Sequence, residues 1–246
     1  MMHQVPRKSS WDHIYTVGTP AKYFNELIKL DYGHNQEKLL EILSEHKLLP
    51  SAKHIREQRI SSEPVRVIDI GCCYGNTTLM VSCGFTWNDT IHFWQGKRKM
   101  PASRKNFYTT GVDISNSALQ YGLESGTFDQ VICSNINTGL EDQPESLEAS
   151  LKEADILLMV TSSCYFDISA IRYIFKEFCG NDSKHKMILY DQLLTFDTRD
   201  LSPANLLPPG HNFLAITETC KHRDLTAEEQ AQTGQSDALT RLYVLY

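Results

Sequence analysis

The stretch that decides the fold is Val65-Arg66-Val67-Ile68-Asp69-Ile70-Gly71-Cys72-Cys73-Tyr74-Gly75-Asn76. A mostly apolar run ends at Gly71, a second glycine follows at Gly75, and a segment able to open a helix comes next. This pattern predicts a strand, a tight turn and a helix N-terminus. Such a junction can direct backbone N–H groups at one spot, where the polar end of a ligand binds. About forty residues on, Thr109-Thr110-Gly111-Val112-Asp113-Ile114-Ser115 reads as a second strand ending in a carboxylate. A carboxylate at that place is positioned to take both hydroxyls of a ribose. The two stretches together predict a nucleoside-bearing ligand held over the carboxyl ends of a parallel sheet.

A dinucleotide site calls for G-x-G-x-x-G, which here would put glycines at positions 71, 73 and 76; the chain has Gly71, Cys73 and Asn76. The second glycine admits a pyrophosphate and the third lets the helix pack closely, so two of three requirements are unmet. No G-x-x-x-x-G-K-[ST] loop is present either. Asp69, Gly71, Cys73 and Gly75 do fit a frame of one acidic residue followed by glycines at alternate positions, with one glycine replaced by cysteine. In this stretch the chain resembles S-adenosylmethionine-dependent class I methyltransferases, and Gly111-Val112-Asp113-Ile114-Ser115 looks like their second motif. Phe128-Asp129-Gln130-Val131-Ile132-Cys133-Ser134-Asn135 resembles their third strand and adenine-side loop. Ala154-Asp155-Ile156-Leu157-Leu158-Met159-Val160 resembles the fourth strand, with a loop at Thr161-Ser162-Ser163-Cys164-Tyr165. The resemblance covers Val65 to about Tyr190. Within the superfamily the chain is similar to a group with a double-cysteine first motif, a long insertion before the second strand and an N-terminal Trp-Asp-x-x-Tyr segment. The chain departs from the common pattern at Cys73, and in a Gly71-to-Asp113 gap about twice the ~20 residues of the compact nucleotide-binding unit.

The resemblance implies an α/β, Rossmann-like class I methyltransferase fold: a seven-stranded, mostly parallel sheet with an antiparallel C-terminal hairpin and N-terminal helices. It implies S-adenosylmethionine as cofactor, with Asp69, Gly71, Cys73 and Gly75 around its amino-acid end. Asp113 and Ile114 would lie at the ribose, Ser134 and Asn135 beside the adenine, and Thr161, Ser162 and Tyr165 at the reactive end. Asn135 reads equally as a turn residue. Methyl transfer from a sulfonium mainly requires alignment, and a base only where the acceptor must lose a proton. Candidates for that base are Tyr165, Asp191 and His211. In the Trp-Asp-x-x-Tyr segment, Trp11 and Tyr15 either fold over the site as an aromatic lid on the cation or anchor the N-terminal helices to the core.

The 246 residues fit one α/β domain with an accessory segment, divided as an N-terminal helical lid over residues 1–64 and a cofactor-binding domain over 65–246. The latter carries an insertion at about 86–109, polar and basic, with Gly96 and Pro101. Hydrophobic content of 41% and charged content of 22% are those of a soluble globular chain. A net charge of −6 disfavours a broad nucleic-acid face. The local run Lys97-Arg98-Lys99 to Arg104-Lys105 reads as a solvated loop before it reads as an anion site. Met1 to Ser10 is polar and no apolar h-region follows, so no signal peptide is expected, and no run approaches a membrane span. Seven cysteines without C-x-x-C spacing point to a reducing, cytoplasmic setting and to no structural metal.

Helical spacing of Tyr23, Phe24, Leu27 and Ile28, then of Leu39, Leu40, Ile42 and Leu43, predicts two helices within Trp11 to Leu49, the first opened by Pro20. Ser51 to Pro64 is linker-like. Strand and helix alternate from Val65. Helices are expected at Gly75 to Cys83, at Asn116 to Gly122, after a cap at Asp142, and after a cap at Asp167. Lys186 to Tyr190 is the expected fifth strand. Phe213 to Cys220 and Leu239 to Tyr246 are expected to close the sheet as two strands joined by an acidic, Gln-rich loop. The reading that follows is a methyltransferase acting on a small molecule, a specialised metabolite fitting best. The competing readings are a silent module that binds S-adenosylmethionine or S-adenosylhomocysteine, and an NAD-dependent reductase.

Overall fold

The structure, a computed structural model, describes residues 20–48, 63–138, 143–180 and 186–246. Trp11, Asp12, Tyr15, the cap expected at Asp142 and almost all of the 51–64 linker lie outside the described residues.

Val65–Ile70 forms β1, Phe107–Asp113 β2, Gln130–Cys133 β3, Ile156–Met159 β4, Met187–Gln192 β5, Ala215–Asp224 β6 and Asp237–Leu245 β7. They make one seven-stranded sheet in the order β3-β2-β1-β4-β5-β7-β6. β1 pairs in parallel with β2 and β4, β2 with β3, and β4 with β5, while β7 runs antiparallel between β5 and β6. This is the seven-stranded, mostly parallel Rossmann-like sheet with an antiparallel C-terminal hairpin that the sequence led us to expect. The strand order reverses between β1 and β4, and in an open sheet a ligand binds at that point, beyond the carboxyl ends.

The central strands are apolar on both faces because both are covered. On one face Ile68, Val112, Leu157, Met159 and Tyr190 pack against α6 (Glu145–Glu153) and α7 (Ile168–Cys179). On the other, Val65, Val67, Leu158, Leu189 and Val244 pack against Leu39, Ile42 and Leu43 of α2 (His34–Glu45) and Val81 of α3 (Asn76–Cys83). The first helix, α1 (Pro20–Lys29), begins at the expected proline and buries Tyr23, Phe24 and Leu27.

The insertion is more ordered than its composition suggested. It holds α4 (Trp87–Trp94), opened by a capping box in which Thr86 and Asp89 each accept the other's backbone N–H. The basic run is partly internal. Arg98 pairs with Asp89 at 2.6 Å, and buried Arg104 bridges the carbonyl of Thr127 at 2.8 Å and Asp129 at 2.9 Å. α5 (Asn116–Glu124) follows β2 as expected, capped by Ser115. α6 starts after Pro144, which supplies no side-chain cap, and Asp167 precedes α7 without a side-chain cap bond. The short α8 (Pro203–Leu206) leads toward β6.

The loop expected between the last two strands contains a helix, α9 (Ala227–Thr233). Its capping box joins Thr226 to Glu229, and Glu229 also takes a two-pronged ion pair from Arg223 of β6, with both nitrogen–oxygen distances at 2.8 Å. Both side chains are fully buried. Removing one partner leaves the other charge uncompensated, so Arg223→Met is expected to cost ~3–5 kcal/mol in urea unfolding, and Arg223→Met with Glu229→Leu distinctly less.

Candidate functional site

The carboxyl ends of β1, β2, β3 and β4 open into a cavity of about 690 Å³, within the size range of a small-molecule site. Its floor is the turn after β1. Gly71 takes φ +69° and Gly75 φ +84°. Cys73, where the alternating frame wants glycine, takes φ +49°, a left-handed conformation that a side chain enters only at a cost. The position therefore keeps the backbone geometry of the glycine it replaces. A Cβ on Gly71 would lie 2.4 Å from the Cβ of Ser162, so the loop after β4 seats directly on the turn, and the Ser162 hydroxyl donates to the Ile70 carbonyl at 2.7 Å.

The N–H groups of this turn do not all face a ligand. Those of Gly71 and Cys72 both donate to the Val112 carbonyl, at 2.7 and 3.2 Å. That of Cys73 donates to Asp113 Oδ2 at 2.8 Å. Asp113 Oδ1 accepts from Ser115 N–H at 2.8 Å. The expectation of free amides is corrected in this respect: three of them tie β1 to β2 and hold Asp113 in place. Its oxygens keep lone pairs to accept further hydrogen bonds.

Two carboxyl groups line the cavity, Asp113 and Asp69. Asp69 is 3% exposed and accepts from the Thr78 hydroxyl at 2.7 Å. Burial pushes its pKa up to about 7; the Thr78 bond opposes the rise and the charge of Asp113 adds to it. Burial also raises Asp113, against the N–H groups of Ser115 and Cys73. Burial, reinforced by these carboxylates, holds the thiols of Cys72 and Cys73 well above the usual range. They are neutral walls rather than nucleophiles.

Of the residues expected at the site, Asp69, Gly71, Cys73, Asp113, Ile114, Ser134, Asn135, Thr161 and Tyr165 are brought together on the cavity wall. Ile114 presents an apolar face there, 69% exposed beside Asp113. Asn135 does both things expected of it: it lines the cavity, and its Oδ1 accepts from Asn137 N–H at 3.1 Å in a turn. Gly75 sits behind the turn, where a Cβ would lie 2.5 Å from Thr127 Cγ2, so it serves close packing and not the wall. Asp191 is buried inside β5, which runs on to Gln192. It accepts from Thr161 N–H at 2.8 Å, Thr240 Oγ1 at 3.1 Å and Asn35 Nδ2 at 3.3 Å. It fixes Thr161 at φ +70°, strained for a β-branched residue, and is not on the wall. His211 is not brought to the site: its Nε2 lies 3.1 Å from the carbonyl of Gly180, just past α7 and at the opposite end of the sheet.

The wall also takes in Tyr23 of α1 and, not anticipated there, Gln36 of α2. The sequence signal for Gln36 is its spacing: with Leu39 and Leu43 it heads the buried stripe of α2, where a polar residue is out of place.

No protein-family model matches the chain, and no curated protein matches it. Among solved structures it is similar to a precorrin-6y C5,15-methyltransferase from Geobacter metallireducens GS-15, at 10% identity and TM-score 0.43 over 76% of this chain and 82% of that one. It is similar to a SAM-dependent methyltransferase from Leishmania major, at 10% identity and TM-score 0.45 over 96% and 80%. It is also similar to the plantazolicin methyltransferase BamL, solved with a triazolic desmethyl analogue and S-adenosylhomocysteine, at 15% identity and TM-score 0.43 over 85% of each chain. Among the described residues no helix is long and apolar enough to cross a membrane.

Asp69 links this site to folding. Its pKa in the folded chain, about 7, lies above the ordinary 3.8, so the folded state holds a proton that the unfolded state releases between about pH 4 and 7. Its contribution is most favourable in acid and is lost as pH rises through that window. Asp69→Asn removes the titration. The stability of wild type relative to the variant is expected to fall by up to ~4 kcal/mol between about pH 4 and pH 8, read from urea unfolding at both. A difference that does not change with pH would rule out the buried, titrating Asp69.

Proposed function

We propose that the protein is an S-adenosylmethionine-dependent methyltransferase acting on a small molecule, a specialised metabolite fitting best, in the cytoplasm. The observation that carries the reading is Asp113, held by the N–H groups of Cys73 and Ser115 at the edge of the cavity over β1 and β2. Its free lone pairs suit the two hydroxyls of a ribose. Ile114, exposed next to it, offers an apolar surface to the base, with Ser134 and Asn135 beyond. Gly71 and Cys73 would flank the amino-acid end, where Asp69 complements positive charge.

The donor set favours a cation over a pyrophosphate. The amides that would cradle phosphate oxygens are taken up by Val112 and Asp113. Among the described residues that line the cavity are two carboxyl groups and no lysine, arginine or histidine. A dinucleotide would place two phosphate charges against that wall; a sulfonium is attracted to it.

When bound, S-adenosylmethionine supplies a methyl group already activated by the positive sulfur. The chain's part is to bind, orient and exclude water, and alignment alone can contribute ~7–11 kcal/mol. Asp191 would act by holding Thr161 and the loop after β4 in position, and Tyr165 stands at the rim as the remaining candidate base. α1 and α2 would form the wall beside the cofactor cleft, through Tyr23 and Gln36.

Calorimetric titration with S-adenosylmethionine, S-adenosylhomocysteine and NAD tests the proposal. Saturable binding of both adenosyl ligands and not of NAD is expected, with Asp113→Ala weakening it by ~1–3 kcal/mol through lost ribose hydrogen bonds. Unchanged affinity in a folded Asp113→Ala variant would refute the ribose assignment. NAD binding alone would replace the reading with a reductase.

A further inference from the structure

Among the described residues, the wall of the cavity carries one buried side chain with an unpartnered polar atom, and the cofactor assignment does not use it. Gln36 is 3% exposed, lines the cavity, and among the described residues its Oε1 has no hydrogen-bond partner. A buried amide oxygen left in that state costs about 1–3 kcal/mol. A ligand that donates to it would recover this.

Where Gln36 stands decides which part of a ligand that is. The adenosine end is defined by Ile114, Ser134 and Asn135, at the ends of β2 and β3. From there the ligand would run across β1, past Asp113 and Gly71. Gln36 comes from the far side. The preceding residue, Asn35, donates to Asp191 at the end of β5, and Leu39, Ile42 and Leu43 bury α2 against the face that includes Leu189, Leu242 and Val244. Gln36 therefore enters from the side of Thr161, which Asp191 also holds, opposite the adenosine end and, on the cofactor reading, where the methyl acceptor would approach.

We infer that Gln36 binds the methyl acceptor, accepting a hydrogen bond at Oε1 from the N–H or O–H of the atom to be methylated. The inference rests on the cofactor reading above and names the substrate class within it: an amine, nitrogen heterocycle or hydroxyl compound, neutral or cationic, and not a carboxylate or phosphate. An amide oxygen accepts a hydrogen bond but does not take the proton. The acceptor's lone pair forms the new bond to the methyl carbon, the carbon–sulfur bond breaks with its electron pair left on sulfur, and the acceptor's extra proton then passes to solvent. Gln36 is thus a positioning residue that selects acceptors carrying a proton on the reacting atom, and Asp69 and Asp113 disfavour anionic ones.

Sinefungin gives a direct test before any acceptor is known. It carries a protonated amine on carbon where S-adenosylmethionine carries methyl on sulfur, so it places an N–H donor on the acceptor side. S-adenosylhomocysteine lacks that group. Affinities for both are measured by calorimetry on the full chain, as wild type, Gln36→Met and Gln36→Glu. In Gln36→Met, sinefungin is expected to weaken by about tenfold or more, the scale of one hydrogen bond from a charged donor, while S-adenosylhomocysteine changes by less than about twofold. Equal loss of both ligands would move Gln36 to the cofactor's own amino-acid end and overturn the inference; so would no loss of either. Should Gln36→Met fail to fold by circular dichroism, Gln36→Glu decides. It keeps an acceptor oxygen and adds negative charge, so the preference for sinefungin over S-adenosylhomocysteine must rise, and an unchanged or lower preference overturns the inference. Wild type that binds neither ligand would fell the cofactor reading itself, an outcome distinct from all of these.

Discussion

The structure of the site depends on one tie between adjacent strands. The Val112 carbonyl accepts from Gly71 and Cys72, and the Asp113 carboxylate from Cys73, so the turn leaving β1 is bound to the end of β2. The tie requires a backbone that curls back on itself. It is made by left-handed conformations at Gly71, Cys73 and Gly75, of which only that of Cys73 carries a penalty. A charged acceptor makes the Cys73 bond stronger than a neutral one, roughly 1.5–3 kcal/mol. That is enough to offset a non-glycine residue in this region, at ~1–3 kcal/mol. Asp113 and the strained turn therefore support each other.

A second carboxylate does the same work on the other wall. Asp191 gathers Thr161 from the loop after β4, Asn35 from α2 and Thr240 from β7. Thr161 is the other non-glycine residue of the wall held at positive φ, and again a buried carboxylate holds the amide that makes this possible. The same contact fixes the start of α2, and with it Gln36. The two walls of the cavity are thus each built around an aspartate that stabilises an unfavourable backbone, a pattern in which strain is concentrated at one site.

What the sequence made legible was whatever has a period or a punctuation mark. β1 and its turn, Asp113 at the end of β2, Pro20 at the head of α1, and the two closing strands all follow from apolar runs and their boundaries. Long-range pairing was less accessible. β5 runs on to Gln192 because β7 pairs with it through Gln192 and Arg241, so Asp191, placed after the strand by local pattern, is inside it and buried. The two capped helices α4 and α9 were overlooked for another reason. Basic or acidic composition suggested loops, although Thr86-x-x-Asp89 and Thr226-x-x-Glu229 carry the spacing of reciprocal caps. His211 could be placed in a loop but not at an end of the sheet, since that depends on where α7 terminates.

The charge of the cavity explains why such a site is worth its cost to the fold. Asp69 accepts from the Thr78 hydroxyl, but burial raises its pKa and Asp113, its neighbour, raises it further. At neutral pH the Asp69 carboxyl group is poised between its two forms. A cation brought close shifts that balance to the carboxylate, and the attraction is felt in a buried environment where water screens little. The energy withheld from folding is then available to a positively charged ligand and is denied to an anion of the same size. The net charge of −6 is spread over the whole chain, whereas these two carboxylates act at one point, so it is the local arrangement that selects. On the proposed reading, these two side chains, and amides turned to Val112 and Asp113 instead of to a phosphate, suit a ligand whose charge is positive.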